Sequence, residues 1–142
     1  MNLVHKDISL ELDSISPANY STNFSPSENY SINYKSEKVG TLRFRIGQNK
    51  QLLFYAGQVG YEIEEAFRGN RYATKAMLAI LPHCFKYFPS IFITCNEDNI
   101  ASIKTIEALP HEFLGVVLIP RNNIMYAEGD RTKRRYRLLN VP

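Results

Sequence analysis

The sequence has few residues that could build a covalent or metal framework, and it has no long apolar run. Its two cysteines, Cys84 and Cys95, are too far apart for a C-x-x-C motif, and its three histidines lack ligand spacing. We therefore expect free, partly buried thiols in a cytoplasmic protein, and no metal site. No stretch approaches the roughly 18 apolar residues that cross a bilayer, and the first residues lack a signal-peptide core. Neither a membrane span nor secretion is predicted.

The net charge is small and unevenly distributed. There are 17 Lys+Arg against 14 Asp+Glu, a net of +3, and five of the basic residues lie between Arg131 and Arg137. Without that run the balance is 12 against 14, a net of −2. Nucleic-acid binding would therefore depend on residues 131–137, whose alternation puts a basic row on one strand face. A solvated basic strand is the favoured interpretation, so nucleic acid is an unlikely partner. The row consists of Arg131, Lys133, Arg135 and Arg137.

Length and patterning predict a single domain over residues 1–142, because 44% of the chain is hydrophobic and no repeat is visible. Residues 14–36 are rich in Ser and Asn and are predicted to form a loop, with a short strand at residues 30–35. Alternation then predicts a strand around Leu42, Phe44 and Ile46. Two more strands, at residues 51–56 and 58–64, would complete an antiparallel meander.

The hydrophobic period then changes from strand-like to helical. Apolar residues from Ala73 to Cys84 recur at offsets of 3 and 4, which predicts a helix whose last turn Pro82 kinks or shortens. A strand at residues 90–95 and a helix from Asn99 to Leu109 follow, capped by Asp98 or Asn99. Strands at residues 112–119 and 133–139 end the chain. The order β-β-β-α-β-α-β-β is α+β, one mixed sheet with helices packed on it.

The junction between the strand at 58–64 and the first helix carries the chemistry. A turn containing Gly69 opens a helix whose start is basic, with Arg68, Arg71 and Lys75. Free N–H groups at a helix N-terminus, helped by such cations, favour a phosphate or pyrophosphate. A basic, solvated first turn is an equally weighted interpretation, since one glycine is a weak fingerprint.

These residues resemble the GNAT superfamily of acetyl-CoA-dependent N-acyltransferases. Its pyrophosphate loop reads [Q/R]-x-x-G-x-[G/A]; Arg68 and Ala73 match the ends, and Arg71 replaces the middle glycine. Asn99 and Ser102 match the family's second helix start. The similarity covers about residues 38–139 and is closest to a bacterial subgroup. It does not extend convincingly into the Ser/Asn-rich segment, where the family often has helices that build the acceptor side.

The resemblance implies a GNAT-like, mostly antiparallel sheet, splayed between the strand at 58–64 and the strand at 90–95. Acetyl-CoA would insert into that splay as cosubstrate, with its pantetheine arm pairing with the strand like an added one. Its pyrophosphate would bind the loop before the first helix. The implied cofactor-binding residues are Tyr61, Ile63, Arg68, Gly69, Asn70, Arg71, Tyr72, Ala73, Thr74, Asn99 and Ser102.

The implied activity is transfer of an acetyl group to a primary amine by direct attack in a ternary complex. The family's usual tyrosine acid is replaced by Ile106, so Tyr126 is the candidate acid, and Glu62 and Glu64 are candidate bases. A catalytically silent CoA-binding module is the alternative, motivated by Arg71 and Ile106. The sequence does not identify the acceptor amine. An exposed last strand could support a homodimer.

Overall fold

The computed structural model describes residues 3–19 and 25–141. Short helical segments, π-helical Gln51–Ala56 and 3-10 Glu65–Phe67, flank the fifth strand. The α-helices are α1 (Tyr72–Cys84), α2 (Ile100–Glu107) and α3 (Ile124–Ala127). The strands are β1 (Val4–His5), β2 (Ile8–Ser16), β3 (Ser27–Tyr34), β4 (Glu37–Arg45), β5 (Val59–Ile63), β6 (Ser90–Cys95), β7 (His111–Leu118) and β8 (Thr132–Leu139).

The described strands form two antiparallel sheets. One has five strands in the order β1-β2-β3-β4-β5, and the other has three in the order β6-β8-β7. The predicted α+β class is confirmed, although the single mixed sheet is divided in two. The sheets meet where the Gln58 N–H donates to the Phe92 carbonyl oxygen at 2.8 Å. No ladder joins β5 to β6 beyond that point, so the predicted splay between these strands is confirmed.

Helix α1 covers one face of the five-stranded sheet and supplies much of the core. Its apolar side contributes Met77 and Ile80, each 0% exposed, and these belong to one cluster with Ile32 and Phe44 of the sheet. Burying one such side chain stabilises the fold by about 1.5–3 kcal/mol. The helix continues through Pro82 to Cys84, so the proline does not end it. Pro82 removes the one hydrogen bond that its N–H would donate to the Leu78 carbonyl oxygen, but the helical pattern resumes beyond it, where the Phe85 N–H donates to the Leu81 carbonyl oxygen at 2.9 Å.

The prediction that residues 14–36 form a loop is wrong at residues 14–16 and 27–34, while residues 17, 18, 25, 26, 35 and 36 lie outside the strands and the short strand expected at 30–35 falls largely within β3. Strand β2 reaches Ser16, and β3 occupies Ser27–Tyr34. The serines and asparagines of β3 alternate with Tyr30 and Ile32, which are buried against α1, so the polar residues line the opposite face. Pairing with β2 and β4 satisfies the backbone, which outweighs the turn propensity of these residue types. Residues 20–24 of the predicted loop lie outside the described residues.

The predicted strand at residues 51–56 is also wrong, because Gln51–Ala56 is π-helical. Leu52 and Tyr55, three residues apart, are its buried positions. The side-chain oxygen of Asn49 accepts a hydrogen bond from the Leu52 N–H at 3.0 Å and stabilises the first turn. A short apolar run without alternation fits a helix as well as a strand, and the asparagine before it was the unused signal.

The C-terminal half follows its predicted order. Strand β6 has the predicted bounds, and α2 is capped by Asn99. Helix α3 lies between the last two strands, where no element was predicted. Strand β8 lies between β6 and β7, so the last strand is not the exposed edge that a homodimer was expected to use. Both cysteines are free and buried, which confirms the expectation of free thiols.

Candidate functional site

The loop between β5 and α1 is held by its own side chains in an open conformation. The Arg68 Nε donates to the Ile63 carbonyl oxygen at 2.9 Å, and the Asn70 amide donates to the Phe67 carbonyl oxygen at 3.0 Å. Gly69 has φ +88°, and a Cβ there would meet nothing within 4 Å. The glycine is needed for its backbone angle, and the space beside it is left open.

Arg71, the residue before α1, adopts φ 61° and ψ 24°, which is the left-handed conformation that glycine adopts most easily. Its side chain makes no capping hydrogen bond to the helix. The first N–H groups of an α-helix have no partner inside the helix, so those of Tyr72, Ala73 and Thr74 face the loop. The arginine therefore reproduces the backbone turn expected of a glycine and adds a positive charge beside these amides.

One of the three predicted cations already has an anionic partner. The Lys75 ammonium lies 3.2 Å from the Asp7 carboxylate, in the turn between β1 and β2. That hydrogen bond is the main cause that lowers the pKa of Asp7. Arg68 and Arg71 form no ion pair with any described carboxylate and are both exposed. They are the two cations at this loop that could meet an anion.

Residues from both sides of the splay converge at the start of α2. The Asn99 side-chain oxygen accepts a hydrogen bond from the Ser102 N–H at 3.1 Å and caps the helix. The Tyr61 hydroxyl, from β5, donates to the Ser102 Oγ at 3.3 Å. Burial raises the pKa of Tyr61, although hydrogen bonds to Ser102 and Thr105 act in the opposite direction. A protonated phenol therefore spans the splay, and the Asn99 NH₂ is the part of that side chain free to donate.

No contact between described residues brings the predicted acid, Tyr126, together with the predicted bases, Glu62 and Glu64. Glu62 is exposed on β5, opposite Thr41, and Glu64 follows the end of that strand. Tyr126 lies in α3, where the Arg131 guanidinium stacks 3.7 Å from its ring centroid. Ile106, at the position of the family's usual acid, is 1% exposed and belongs to the core.

Sequence reasoning missed Gln58 and Arg45, both of which lie beside the splay. Gln58 is 0% exposed; its side-chain N–H donates to the Gly47 carbonyl oxygen, and its side-chain oxygen accepts from the Phe92 N–H. The Arg45 guanidinium donates to the carbonyl oxygens of residues 56 and 57. Polar residues inside apolar strands were the available signal.

The basic run at residues 131–137 makes contacts within the chain. Arg134 stacks on Phe113, and Arg135 stacks on Phe54 and donates to a backbone oxygen. Arg137 lies 2.6 Å from the Glu112 carboxylate. Lys133 is buried and bonded to Asn96. These side chains attach β8 to its neighbours, which gives the run a structural role.

The described residues contain no group of three or more His, Cys, Asp and Glu side chains arranged to hold a metal ion. None of their helices is long and apolar enough to span a membrane.

Comparison with known proteins decides the family. Residues 11–109, more than half of the chain, match the acetyltransferase (GNAT) domain family. The chain belongs to the GNAT acetyltransferase family. The match begins well before residue 38, so the Ser/Asn-rich segment is part of the GNAT domain, contrary to the extent of the resemblance described above. No match was found among curated proteins.

Solved GNAT structures share the fold at low sequence identity. RimL, a ribosomal alpha-N-protein acetyltransferase, is 20% identical with a TM-score of 0.60 over 80% of this chain and 61% of its own. The microcin self-immunity acetyltransferase MccE, in complex with acetyl-CoA and AMP, is 18% identical with a TM-score of 0.61 over 80% and 61%. RimJ from Mycobacterium smegmatis, in complex with CoA-disulfide, is 19% identical with a TM-score of 0.61 over 79% and 52%. This GNAT chain thus spans about three fifths or less of the length of these proteins.

Proposed function

We propose that this GNAT protein is an N-acetyltransferase that moves an acetyl group from acetyl-CoA to a primary amine. The observation that carries the proposal is the open loop at Gly69 and Arg71, which delivers unpaired amides at the start of α1 beside a splayed pair of strands. This loop lies where the family pattern has its pyrophosphate loop. CoA and acetyl-CoA in the solved complexes of MccE and RimJ support the choice of cosubstrate.

In the proposed complex, the backbone of Tyr61 and Ile63 pairs with the pantetheine amides, since β5 is an edge strand with a free side toward β6. The pyrophosphate binds the amides of residues 69–74, and the side chains of Arg68 and Arg71 supply charge. The NH₂ of Asn99 and the hydroxyl of Ser102 face the arm from the other side of the splay. Every cofactor-binding residue expected from the sequence has a role in this arrangement.

The proposed chemistry is one acyl transfer without a covalent enzyme intermediate. The lone pair of a neutral amine attacks the thioester carbonyl carbon; a C–N bond forms and the C–S bond breaks. The proton that the nitrogen loses is taken by Glu62 or Glu64 through water, and the leaving thiolate gains one proton. Tyr126 is the donor that the sequence suggests. Tyr61 is the donor we favour, because its partly buried hydroxyl lies in the splay beside Ser102.

Titration calorimetry with acetyl-CoA tests the first half of this proposal. We expect binding, and we expect the double substitution Arg68→Ala with Arg71→Ala to weaken it at least tenfold and to reduce its salt dependence. The control removes a charge from the exposed turn after α1, Lys86→Ala, and should bind like the wild type. Absence of binding at millimolar acetyl-CoA would contradict the proposal.

Amine-dependent thiol release tests turnover and separates an enzyme from a silent CoA-binding module. RimL acts on a ribosomal protein alpha-amine, so the first acceptors to try are peptides with a free N-terminus. Thiol release that rises with amine concentration supports transfer; binding without any release favours the silent module. We also propose that the chain acts as one domain, since its core cluster includes residues of both sheets.

A further inference from the structure

The face of the five-stranded sheet opposite α1 is polar and carries two adjoining cavities of about 650 and 610 Å³. Both are lined by Ser16, Arg43 and Arg45, so they form one groove across the sheet. One end of this groove reaches Glu62 on β5. The groove therefore borders the strand at which the proposed acetyl-CoA would lie.

Two arginines occupy the middle of the groove, and neither forms an ion pair with a described carboxylate; the Asp13 carboxylate, which lines the same cavity, accepts instead from the Ser31 hydroxyl at 2.6 Å. The Arg43 Nε donates to the Asn29 side-chain oxygen at 2.8 Å. Arg45 donates to two backbone oxygens, at 3.3 and 3.1 Å. Its guanidinium is desolvated and close to Arg43, and both effects lower the pKa of Arg45. A partly buried cation without an anion is unfavourable, so an anion arriving here would be bound strongly.

The register of β4 and β5 fixes where such an anion would lie. Arg43 is opposite Gly60, and Thr41 is opposite Glu62, two residues further along. A Cβ on Gly60 would lie 3.2 Å from the Arg45 guanidinium nitrogens, so that guanidinium lies directly over the strand. Residues two apart on a strand are separated by about 7 Å. Arg43 and the Arg45 guanidinium thus lie beside Gly60, two residues along β5 from Glu62, the carboxylate that is proposed to take the amine's proton.

We infer that the acceptor amine carries an anionic group, which Arg43 and Arg45 bind while Glu62 faces the amine. This inference rests on the proposed function. A planar carboxylate fits a guanidinium through two parallel hydrogen bonds, so it is the group expected first, and a phosphate or phosphonate shares the same chemistry. The separation between the arginines and Glu62 fits an amine and an acid a few bonds apart. The recognition of an acidic acceptor is thus assigned to this groove.

Matched acceptors test the inference through acetyl-CoA-dependent thiol release. The series 4-aminobutyrate, 4-aminobutyramide and 3-aminopropylphosphonate changes only the group remote from the amine, and the dipeptide amides Ala-Asp and Ala-Asn form a second pair. We expect at least tenfold higher kcat/KM for each carboxylate than for its amide. The phosphonate arm shows whether the site prefers a planar or a tetrahedral anion.

The substitution Arg43→Gln should raise KM for the carboxylates at least tenfold and leave KM for the amides within twofold. Lys86→Gln, which removes one charge away from the groove, should keep the full preference. Equal rates for acids and amides in the wild type, or an unchanged preference in Arg43→Gln, would overturn the inference while the transferase proposal stands. If acetyl-CoA binds but none of the amines is acetylated, titration of 4-aminobutyrate into the complex of the protein with CoA tests the inference by calorimetry. Absence of binding in that titration would overturn the inference. Failure of acetyl-CoA itself to bind would instead refute the proposed function.

Discussion

Gln58 and Phe92 join the two sheets through a pair of hydrogen bonds. The Gln58 N–H donates to the Phe92 carbonyl oxygen at 2.8 Å, and the Phe92 N–H donates to the Gln58 side-chain oxygen at 2.9 Å. A third bond, from the Gln58 side chain to the Gly47 carbonyl oxygen at 2.8 Å, anchors the same residue to the loop after β4. The splay opens beyond this point, so Gln58 determines where the strands part.

Replacing this glutamine by an apolar residue of similar size should destabilise the protein. Gln58→Met leaves the partly buried Phe92 N–H and Gly47 carbonyl oxygen without their side-chain partners, which costs about 1–3 kcal/mol in the free energy of unfolding. Urea denaturation measures this loss. Gln48→Met, at an exposed position ten residues earlier, should change stability by less than about 0.5 kcal/mol. Equal effects of the two substitutions would show that the junction does not depend on the side chain.

The left-handed conformation of Arg71 gives a second prediction. Arg71→Gly and Arg71→Ala remove the same charge, but alanine must keep φ near 61° and glycine adopts it freely. We expect the glycine variant to be more stable than the alanine variant by about 1 kcal/mol, measured by thermal or urea denaturation. Both should lose similar affinity for acetyl-CoA, because both lack the guanidinium. A more stable alanine variant would contradict the assigned backbone conformation.

The Lys75–Asp7 ion pair predicts a pH dependence. The pKa of Asp7 is lowered in the folded state, so the pair stabilises the fold above the carboxyl's ordinary pKa and ceases to do so as pH falls through the lowered one. Asp7→Asn should therefore melt at a lower temperature than the wild type at pH 7, and the difference should vanish in strong acid. Glu37→Gln, an exposed carboxyl on β4, serves as the control. A difference in melting temperature between the wild type and Asp7→Asn that persists or grows in acid would contradict this assignment.

The proton donor can be identified by comparing two conservative substitutions. Tyr61→Phe removes the hydroxyl that lies beside Ser102, whereas Tyr126→Phe removes one on a ring stacked under Arg131. If Tyr61 protonates the leaving thiolate, its variant should lose about a hundredfold in kcat, with acetyl-CoA affinity nearly unchanged. The Tyr126 variant should stay within threefold of the wild type. The reverse order would support the donor suggested by the sequence.

Local patterns in the sequence were sufficient to predict the C-terminal half of the fold. The period of 3 to 4 residues from Ala73 to Cys84 predicted α1, and the alternation of residues 90–95 predicted β6 with its bounds. In both, hydrophobic period and propensity agree, so neighbouring residues alone specify the element. The motif at residues 68–73 likewise predicted the family, because the turn that it describes is built from consecutive residues.

Other features depend on contacts between distant residues. Ser27–Tyr34 becomes a strand only because β2 and β4 pair with it and α1 buries Tyr30 and Ile32. The convergence of Tyr61 with Ser102, which are 41 residues apart, is decided by the way two sheets join at Gln58.

The charge of the chain also depends partly on the sequence and partly on the tertiary structure. Its sequence alone determined a small excess of cations concentrated in residues 131–137. The tertiary structure decided which cations are available, because Arg134, Arg135 and Arg137 are engaged by partners brought to them by β6, β7 and the π-helical turn. Arg43 and Arg45, inconspicuous in the sequence, form no ion pair with a described carboxylate, because the groups they contact on the neighbouring elements are the Asn29 side-chain oxygen and the backbone oxygens of residues 56 and 57.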